Sequence, residues 1–447
     1  MKSGLVVSIL GGGSAYTPGL IEGFVTFRDR LPVDRFALMD IDERKLKIVG
    51  ELVTKIVEAG LPGTRVKTTD SREEALRDAD FVLCQIRVGG LHARHLDESI
   101  PAGLGLVGQE TVGAGGFAMA LRTIPVMVDI AKDIERLHPN AWLINYTNPT
   151  GMVAEALHKV TSVKHLAICD EPMILQESVA AMIGAPTDSV FLDYFGLNHL
   201  GYARRVLYRG TDILPGLRQK LRTLPRQDIE ALFGSDVLRD PKTRQEITNT
   251  LRILDDTGLL PSPYLQYYYF TDEIVRRQRE SGKTRAQEVM EIEQDLLKEY
   301  EQVSRGEKAL EARRGGKWHA DMMVGVVAAI ANDERKIYIV NVPNRGSLPE
   351  LPYEKTVEVP AVVDGAGAHP LAMGKMPPQV RGLIQAVAAY EELAVEAALT
   401  GSRETAVEAL SCHPLVDSRD LARRLFDEYL TAHRAYLPQF SDHRTGQ

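Results

Sequence analysis

The sequence holds only three cysteines, Cys84, Cys169 and Cys412. They are too few and too far apart for a disulfide framework, which suits a reducing compartment. An excess of positive charge is also missing. The formal net charge is −8, which argues against a nucleic-acid partner or an anionic membrane surface. No stretch approaches the ~18 uninterrupted apolar residues of a spanning helix. The apolar run near the N-terminus, Leu5–Leu10, is short and leads into three glycines instead of a small-residue cleavage site, so it reads as a strand and not a signal peptide. Internal repeats and low-complexity segments are absent too. The expectation is a cytoplasmic protein with no nucleic-acid and no membrane partner, in which any anionic ligand is held by local positive groups.

What is present is an ordinary globular composition, 44% hydrophobic and 26% charged over 447 residues, long enough for two packed domains. Over the first 170 residues short apolar runs alternate with helical stretches. The runs are Leu5–Leu10, Phe36–Asp40, Asp80–Ile86, Ala141–Thr147 and His165–Asp170, and Glu43–Ala59 and Ala118–Leu137 carry apolar residues at helical spacing. Continuous strands separated by helices imply an α/β fold, a Rossmann-like doubly wound parallel sheet covered on both faces. Val66–Thr69 is a weaker strand, followed by a helix capped by Ser71 with Glu74 three residues on. Beyond residue 190 the pattern becomes α+β. Val190–Arg209 and Lys336–Val342 read as strands joined by Thr356–Val363, and Arg285–Glu301, Pro377–Thr400 and Arg419–Tyr436 read as helices. The first of these places Val289, Met290, Ile292, Leu296, Leu297 and Tyr300 on one face. The expected division is a nucleotide-type domain over 1–190 and an α+β domain for substrate, metal and oligomer contacts over 191–447. The basic stretch Arg305–Lys317 reads as a surface loop.

The first strand runs into Gly11-Gly12-Gly13-Ser14-Ala15-Tyr16-Thr17-Pro18. A dinucleotide fold needs glycine where strand becomes helix, so that the backbone can approach a pyrophosphate at the helix N-terminus. Gly11 and Gly13 fill the first two places of the usual fingerprint, while Tyr16 stands in the third. Asp40 ends the second strand, 24 residues after Tyr16, where a carboxylate accepts from a ribose and favours NAD over NADP. Asp42 is the alternative ribose ligand. A glycine turn alone is weak evidence, but strand, turn, helix and Asp40 together favour the cofactor.

Ligands of open α/β sheets collect beyond the carboxyl ends of the strands. Polar clusters stand at those places: Arg87–Arg94, Gly108–Gly116 (too glycine-rich for a regular element), Asn145–Thr150 and Cys169-Asp170-Glu171-Pro172. Each has a structural explanation taken alone; four at one edge are harder to dismiss. His199 follows Cys169 by 30 residues. A thiolate and an imidazole suit Mn²⁺, Fe²⁺, Co²⁺ or Zn²⁺, but the spacing is that of no short metal motif. Spacing alone does not establish a metal.

Taken in order, these clusters resemble glycoside hydrolase family 4, the NAD-dependent glycosidases that depart from the two-carboxylate scheme. The resemblance runs from the Gly11–Pro18 turn to Asn341-Val342-Pro343-Asn344-Arg345-Gly346 and Val357-Glu358-Val359-Pro360. It takes in Ile86–Arg94, Gly108–Gly116, Asn145–Pro149, Cys169–Asp170, Gly196–His199 and Pro263-Tyr264-Leu265-Gln266-Tyr267-Tyr268. It also accounts for Tyr16, since the family's turn has tyrosine there. The resemblance implies that Gly11, Gly13, Ser14, Ala15, Tyr16 and Asp40 hold NAD. It makes Cys169 and His199 ligands of a divalent metal, typically Mn²⁺, whose shell sugar hydroxyls complete. Tyr264 becomes the general base, Asn148 a sugar contact, and Arg94 and Arg285 candidates for a substrate phosphate.

The implied mechanism is redox-assisted elimination. NAD⁺ takes hydride from C3, the C2 proton becomes acidic, Tyr264 removes it, and the C1 substituent leaves. Water then adds and NADH restores C3, so there is no net oxidation. A phenol is a poor base near neutral pH, so a nearby cation is expected to lower its pKa. The pattern is most similar to the 6-phospho-β-glucosidases of the family. One departure is Asp170, where many β members have asparagine; in the α members that aspartate protonates the leaving oxygen. The expected activity is therefore hydrolysis of 6-phosphoglucosides, β-linked first and α-linked as the alternative, by a homodimer or homotetramer. A lactate/malate-type dehydrogenase is the reading from another class, and would need a histidine acid/base and no metal cysteine. A non-catalytic NAD sensor fits poorly with Cys169, His199 and Tyr264 together.

Overall fold

In the computed structural model, which describes residues 4–223, 241–308 and 316–441, the apolar runs of the N-terminal part lie side by side. Strands β1 (Leu5–Leu10), β2 (Val33–Met39), β3 (Arg65–Thr69), β4 (Phe81–Cys84), β5 (Trp142–Asn145) and β6 (Lys164–Ala167) pair in parallel. Their order across the sheet is β6-β5-β4-β1-β2-β3. The chain turns to one side of β1 for β2 and β3 and to the other for β4 to β6. The carboxyl ends of β1 and β4 thus flank a topological switch point. Helices Thr17–Thr26, Glu43–Gly60, Gly113–Leu137 and Thr150–Val160 make the crossovers. Ser71 caps its short helix as expected, accepting from Glu74 N.

The C-terminal strands are arranged differently from the sequence expectation. Val190–Arg209 is a hairpin, β7 (Val190–Leu197) and β8 (Leu200–Tyr208), which forms a small separate sheet with β9 (Thr211–Asp212) and β10 (Leu260–Pro261). Lys336–Pro343 (β11), Thr356–Asp364 (β12) and Gly367–Pro370 (β13) do not join that hairpin. They extend the main sheet to nine strands, β11 pairing antiparallel to β6 at Asn341↔Ala167. The physical reason is the edge: an unpaired β6 would expose a row of backbone donors and acceptors, and β11 covers it. A fully buried Lys355 anchors this addition, bonding Glu155 at 2.6 Å and Glu391 at 2.7 Å on two different helices.

Two further differences concern helices. The Gly108–Gly116 stretch does contain a regular element, because the helix begins at Gly113 and not at Ala118. Its glycines permit close contact: a Cβ on Gly115 would lie 2.1 Å from the Gln109 carbonyl oxygen, so the helix can start directly beneath that loop. This helix, Gly113–Leu137, is also long and apolar enough to cross a membrane by composition, but it is largely buried in the protein core. In helix Arg285–Ser304, Ile292 is exposed and not part of the buried face. Of the basic stretch Arg305–Lys317, residues 309–315 lie outside the described residues; its N-terminal end closes one helix and its C-terminal end opens the next. The small sheet has a core of its own, in which Leu192, Tyr194 and Val206 pack with Leu175, Val179 and Leu254.

Candidate active site

The glycine turn folds back onto the end of β2. Gly11 N and Gly12 N both donate to the Met39 carbonyl, at 2.9 and 2.8 Å, and Gly13 N donates to Asp40 Oδ2 at 2.9 Å. Gly11 has φ +82°, and a Cβ there would meet the Gln85 carbonyl oxygen at 2.8 Å, so no other residue fits. Asp40 braces this turn and stands at the strand end, with its other oxygen accepting from Asp42 N at 3.0 Å. Asp42 is engaged elsewhere: it caps helix Glu43–Gly60, accepting from Lys45 N at 3.0 Å. Ser14 Oγ accepts from Tyr16 N at 3.3 Å, and Tyr16 stands half exposed at the start of the next helix. From the C-terminal half, Tyr300 donates its hydroxyl to Ala15 O at 2.8 Å, which fastens the turn from the opposite side. The tight approach that Gly11 and Gly13 allow is what a dinucleotide pyrophosphate needs.

Cys169 follows β6, and His199 sits in the tight turn of the β7–β8 hairpin. Folding brings Cys169 Sγ to 3.5 Å from His199 Nε2, with both residues more than 90% buried. An ion shared by a thiolate and an imidazole at zinc-like bond lengths sets sulfur and nitrogen about 3.1–3.6 Å apart, so the pair fits a common metal. Among the described residues no group of three or more His, Cys, Asp or Glu is placed to hold an ion. Among those residues the pair offers two donors, one fewer than the three protein ligands of a typical catalytic zinc site. His199 has φ +60°, a left-handed conformation that is uncommon for histidine and that clusters at functional sites. Burial pushes the Cys169 thiol well above its usual range, with Glu358 and Asp170 adding to the rise. Burial lowers His199 to about 4, against the pull of Glu110.

Tyr264, in the short 3₁₀ turn Pro263–Leu265, lies flat on His199 with ring centroids 3.8 Å apart and planes 2° from parallel. Arg94 is a cation within electrostatic reach of the Tyr264 hydroxyl, but it does not offset the groups that raise that hydroxyl's pKa. Its phenol is held well above the ordinary value, first by burial, then by Cys169 and Glu110. A bound divalent ion would reverse the sign of that local field. Asp170 stands at the N-cap of helix Glu171–Ile183 without its side chain capping it; the side chain is hydrogen-bonded by Tyr146 instead, and burial raises its carboxyl. Asn148 Oδ1 accepts from Thr150 Oγ1 at 3.1 Å, at the end of the neighbouring strand.

The two arginines differ in setting. Arg94 is buried and already shared: Nε reaches Glu98 at 2.7 Å and an Nη reaches Glu110 at 3.1 Å. Arg285 is exposed and pairs with Glu288 at 2.9 Å. Glu98 links the two regions, because its other oxygen accepts from Ala286 N at 2.8 Å. Arg87 pairs with Glu110, and both Arg87 and Arg94 act electrostatically on Tyr16.

Several residues of the site were not singled out by sequence reasoning. Glu110 ties Arg87 to Arg94 and faces Tyr264. Thr111 contacts His199 Nδ1 at 2.8 Å. Both lie in the Gly108–Gly116 cluster, but nothing in its composition ranks one residue above another. Glu358 is fully buried and accepts from Asn198 Nδ2 (2.9 Å), Asn341 Nδ2 (3.0 Å) and the Tyr194 hydroxyl (3.2 Å). It holds the turn that presents His199. Its signal was available: a lone carboxylate inside the apolar run Val357–Val363. Burial pushes Glu358 up to about 7, and burial together with Glu358 pushes Glu171 up to about 8.

Sheet order, the glycine turn and the polar residues gathered at the strand ends together mark a Rossmann-type enzyme. The chain belongs to the family 4 glycosyl hydrolases. Residues 6–185 match the Family 4 glycosyl hydrolase description and residues 194–416 match the Family 4 glycosyl hydrolase C-terminal domain. A probable 6-phospho-beta-glucosidase of Bacillus subtilis is 39% identical, covering 98% of this chain and 99% of the relative. A 6-phospho-beta-glucosidase of Escherichia coli is 36% identical over 99% of this chain and 98% of its own length. Among solved structures, a 6-phospho-alpha-glucosidase from gut microorganisms, in complex with NAD and Mn²⁺, superposes with TM-score 0.90 at 31% identity, covering 98% of this chain and all of the other. The 6-phospho-beta-glucosidase of Thermotoga maritima with manganese, NAD⁺ and glucose-6-phosphate gives 0.84 at 32% identity, covering 97% and 99%. A malate dehydrogenase of Plasmodium falciparum, at 11% identity and TM-score 0.53, shares the fold alone.

Proposed function

We propose that this chain hydrolyses 6-phosphoglucosides with NAD and a divalent metal, most readily manganese, as bound cofactors. The observation that carries the reading is the Cys169 Sγ–His199 Nε2 pair at 3.5 Å with Tyr264 stacked on the histidine. When bound, NAD⁺ and the metal supply transient oxidation at C3 and acidification of the C2 proton. Cys169 and His199 hold the metal. Tyr264 removes the proton at C2 with its phenolate oxygen. Asp170, hydrogen-bonded by Tyr146 and raised by burial, is a proton source for the leaving oxygen at C1. Gly11, Gly13, Ser14, Ala15 and Tyr16 receive the pyrophosphate side of NAD, and Asp40 the ribose. Asn148 contacts the sugar. Arg285, exposed and bound to one carboxylate, is freer to meet a phosphate than Arg94, which two carboxylates already share.

The β-linked substrate is favoured by the sequence relatives at 39% and 36% identity. A second reading, α-linked, rests on Asp170 and on the higher superposition with the α enzymes, TM-scores 0.90 and 0.91 against 0.84 and 0.85. The same proposal includes the division at residue 190, supported by the two family matches, which cover 6–185 and 194–416, a homo-oligomeric assembly and a cytoplasmic location. One assay tests the activity: nitrophenol release from α- and β-linked 6-phosphoglucosides, each with and without NAD⁺ and Mn²⁺. Release is expected only with both cofactors. Net accumulation of NADH without glycoside cleavage would replace the glycosidase by a dehydrogenase.

A further inference from the structure

Gln109, Thr111 and His199 form a chain of close polar contacts, and one arrangement of protons makes every contact a hydrogen bond. The assignment starts at Gln109. Its Oε1 accepts from two backbone N–H groups, Thr111 N at 2.5 Å and Val112 N at 2.7 Å. Backbone N–H groups only donate, so the atom facing them must be the amide oxygen and not the amide nitrogen. The same Oε1 lies 3.0 Å from Thr111 Oγ1. An amide oxygen cannot donate, so in that arrangement the single hydroxyl proton of Thr111 points at Gln109, as a third donor to Oε1. Thr111 Oγ1 also lies 2.8 Å from His199 Nδ1. In that arrangement Thr111 accepts there, His199 Nδ1 carries the hydrogen, and in a neutral imidazole Nε2 is then a bare lone pair. That lone pair is on the nitrogen 3.5 Å from Cys169 Sγ.

The chain is also rigid. Thr111 and Val112 immediately precede the helix that starts at Gly113, and Gly116 packs so closely under Thr111 that a Cβ would come within 2.5 Å of its carbonyl oxygen. Gln109 is 9% exposed and His199 4%, while Thr111 between them is half-buried.

We infer that Thr111 is a positioning residue for the metal site: oriented by Gln109, it fixes His199 in the Nδ1–H tautomer so that Nε2 is ready for the ion beside Cys169. It touches neither substrate nor metal and acts through the histidine, as outer partners of metal-binding imidazoles do. The inference rests on Cys169 and His199 being the metal ligands.

Two measurements on the full-length protein test it. In the first, long-range ¹H–¹⁵N correlation of the histidine rings in metal-free protein near pH 7, with His199 assigned from its loss in His199→Ala, reports the tautomer directly. The Nδ1–H form is expected in the wild type, and an Nε2–H form overturns the inference whatever metal does. In the second, Mn²⁺ affinity is measured by calorimetry for wild type, Thr111→Val, Thr111→Ser and Cys169→Ser, with NAD⁺ binding as the control for folding. Thr111→Val, nearly equal in volume, should weaken Mn²⁺ binding about 10–100-fold, and Thr111→Ser, which keeps the hydroxyl, should restore it. Unchanged affinity in Thr111→Val, with binding lost in Cys169→Ser, overturns the role of Thr111 and leaves the metal site standing. Unchanged affinity in Cys169→Ser overturns the metal site itself.

Discussion

The Tyr264 ring and the His199 imidazole are stacked face to face, 3.8 Å between centroids and 2° from parallel, so that the proposed base and one proposed metal ligand form a single packed unit. Any change that removes the Tyr264 ring would also disturb the histidine. Tyr264→Phe keeps the ring and removes only the oxygen, so packing and Mn²⁺ affinity should hold while turnover falls about 10²–10⁴-fold. Wild-type reaction in D₂O should place deuterium at C2 of the product. Near-wild-type turnover in the Phe variant would move the role to Tyr267 or Tyr268; product without C2 deuterium would replace elimination by direct displacement.

Cys169→Ser should abolish Mn²⁺-dependent activity while leaving NAD⁺ binding intact, because the glycine turn lies at a different strand end. Removing metal with a chelator should have the same effect on the wild type and be reversed by added Mn²⁺. Full activity of the chelated enzyme would exclude the metal.

Asp40 and Asp42 separate cleanly. Asp40→Ala should weaken NAD⁺ binding by about 1–3 kcal/mol, since it removes both the ribose acceptor and the brace on Gly13 N. Asp42→Ala removes a helix cap and should lower stability by about 0.5–2 kcal/mol with NAD⁺ affinity unchanged. Calorimetric titration and denaturant unfolding distinguish the two, and the reverse pattern would assign the ribose to Asp42.

The contrast between these aspartates shows what the sequence could and could not convey. The parallel sheet, the turn from Gly11 to Tyr16 and the strand-end position of Asp40 were legible, because each depends on local pattern: apolar runs, glycine at a forced backbone, a carboxylate at a strand end. The choice between Asp40 and Asp42 was not, because it depends on which side chain the next helix claims as its cap. The pairing of Cys169 with His199 rested on resemblance, since 30 residues, a helix and a strand separate them and no spacing rule spans that gap. The placement of β11 to β13 was missed for the same reason. Antiparallel strands added to the edge of a parallel sheet have no local signature, and their register is set by β6.

Arg94 and Arg285 should respond oppositely to removal. Arg94 balances Glu98 and Glu110 in a buried setting, so Arg94→Ala leaves uncompensated charge and should destabilise the fold on the order of 3 kcal/mol. Arg285→Ala should leave stability nearly unchanged, because its ion pair is exposed. It should raise KM for 6-phosphoglucosides and not for their dephosphorylated forms. Equal turnover of phosphorylated and dephosphorylated substrates by the wild type would remove the phosphate from the specificity altogether.

Asp170 bears on the linkage, and leaving-group chemistry can isolate its role. The carboxyl sits at the end of β6 beside Cys169, raised by burial and hydrogen-bonded by Tyr146, and it does not cap its helix. A structural duty for the side chain is therefore hard to find, and proton donation is the chemical one available. Nitrophenolate leaves with little protonation, whereas a methoxide or sugar oxygen needs a proton as the C1 bond breaks. Asp170→Asn keeps size and one hydrogen-bond acceptor for Tyr146, so the fold should be preserved. Rates with nitrophenyl 6-phosphoglucosides should drop less than about tenfold, and rates with methyl 6-phosphoglucosides or phosphorylated disaccharides about 10²–10⁴-fold. Running both anomers through this series joins the two questions. If the selective loss occurs with α-linked substrates alone, Asp170 serves an α-glucosidase; if it occurs with β-linked substrates, an acid has been placed where many β members carry asparagine. Equal loss for good and poor leaving groups would deny Asp170 the acid role and leave it as a substrate contact.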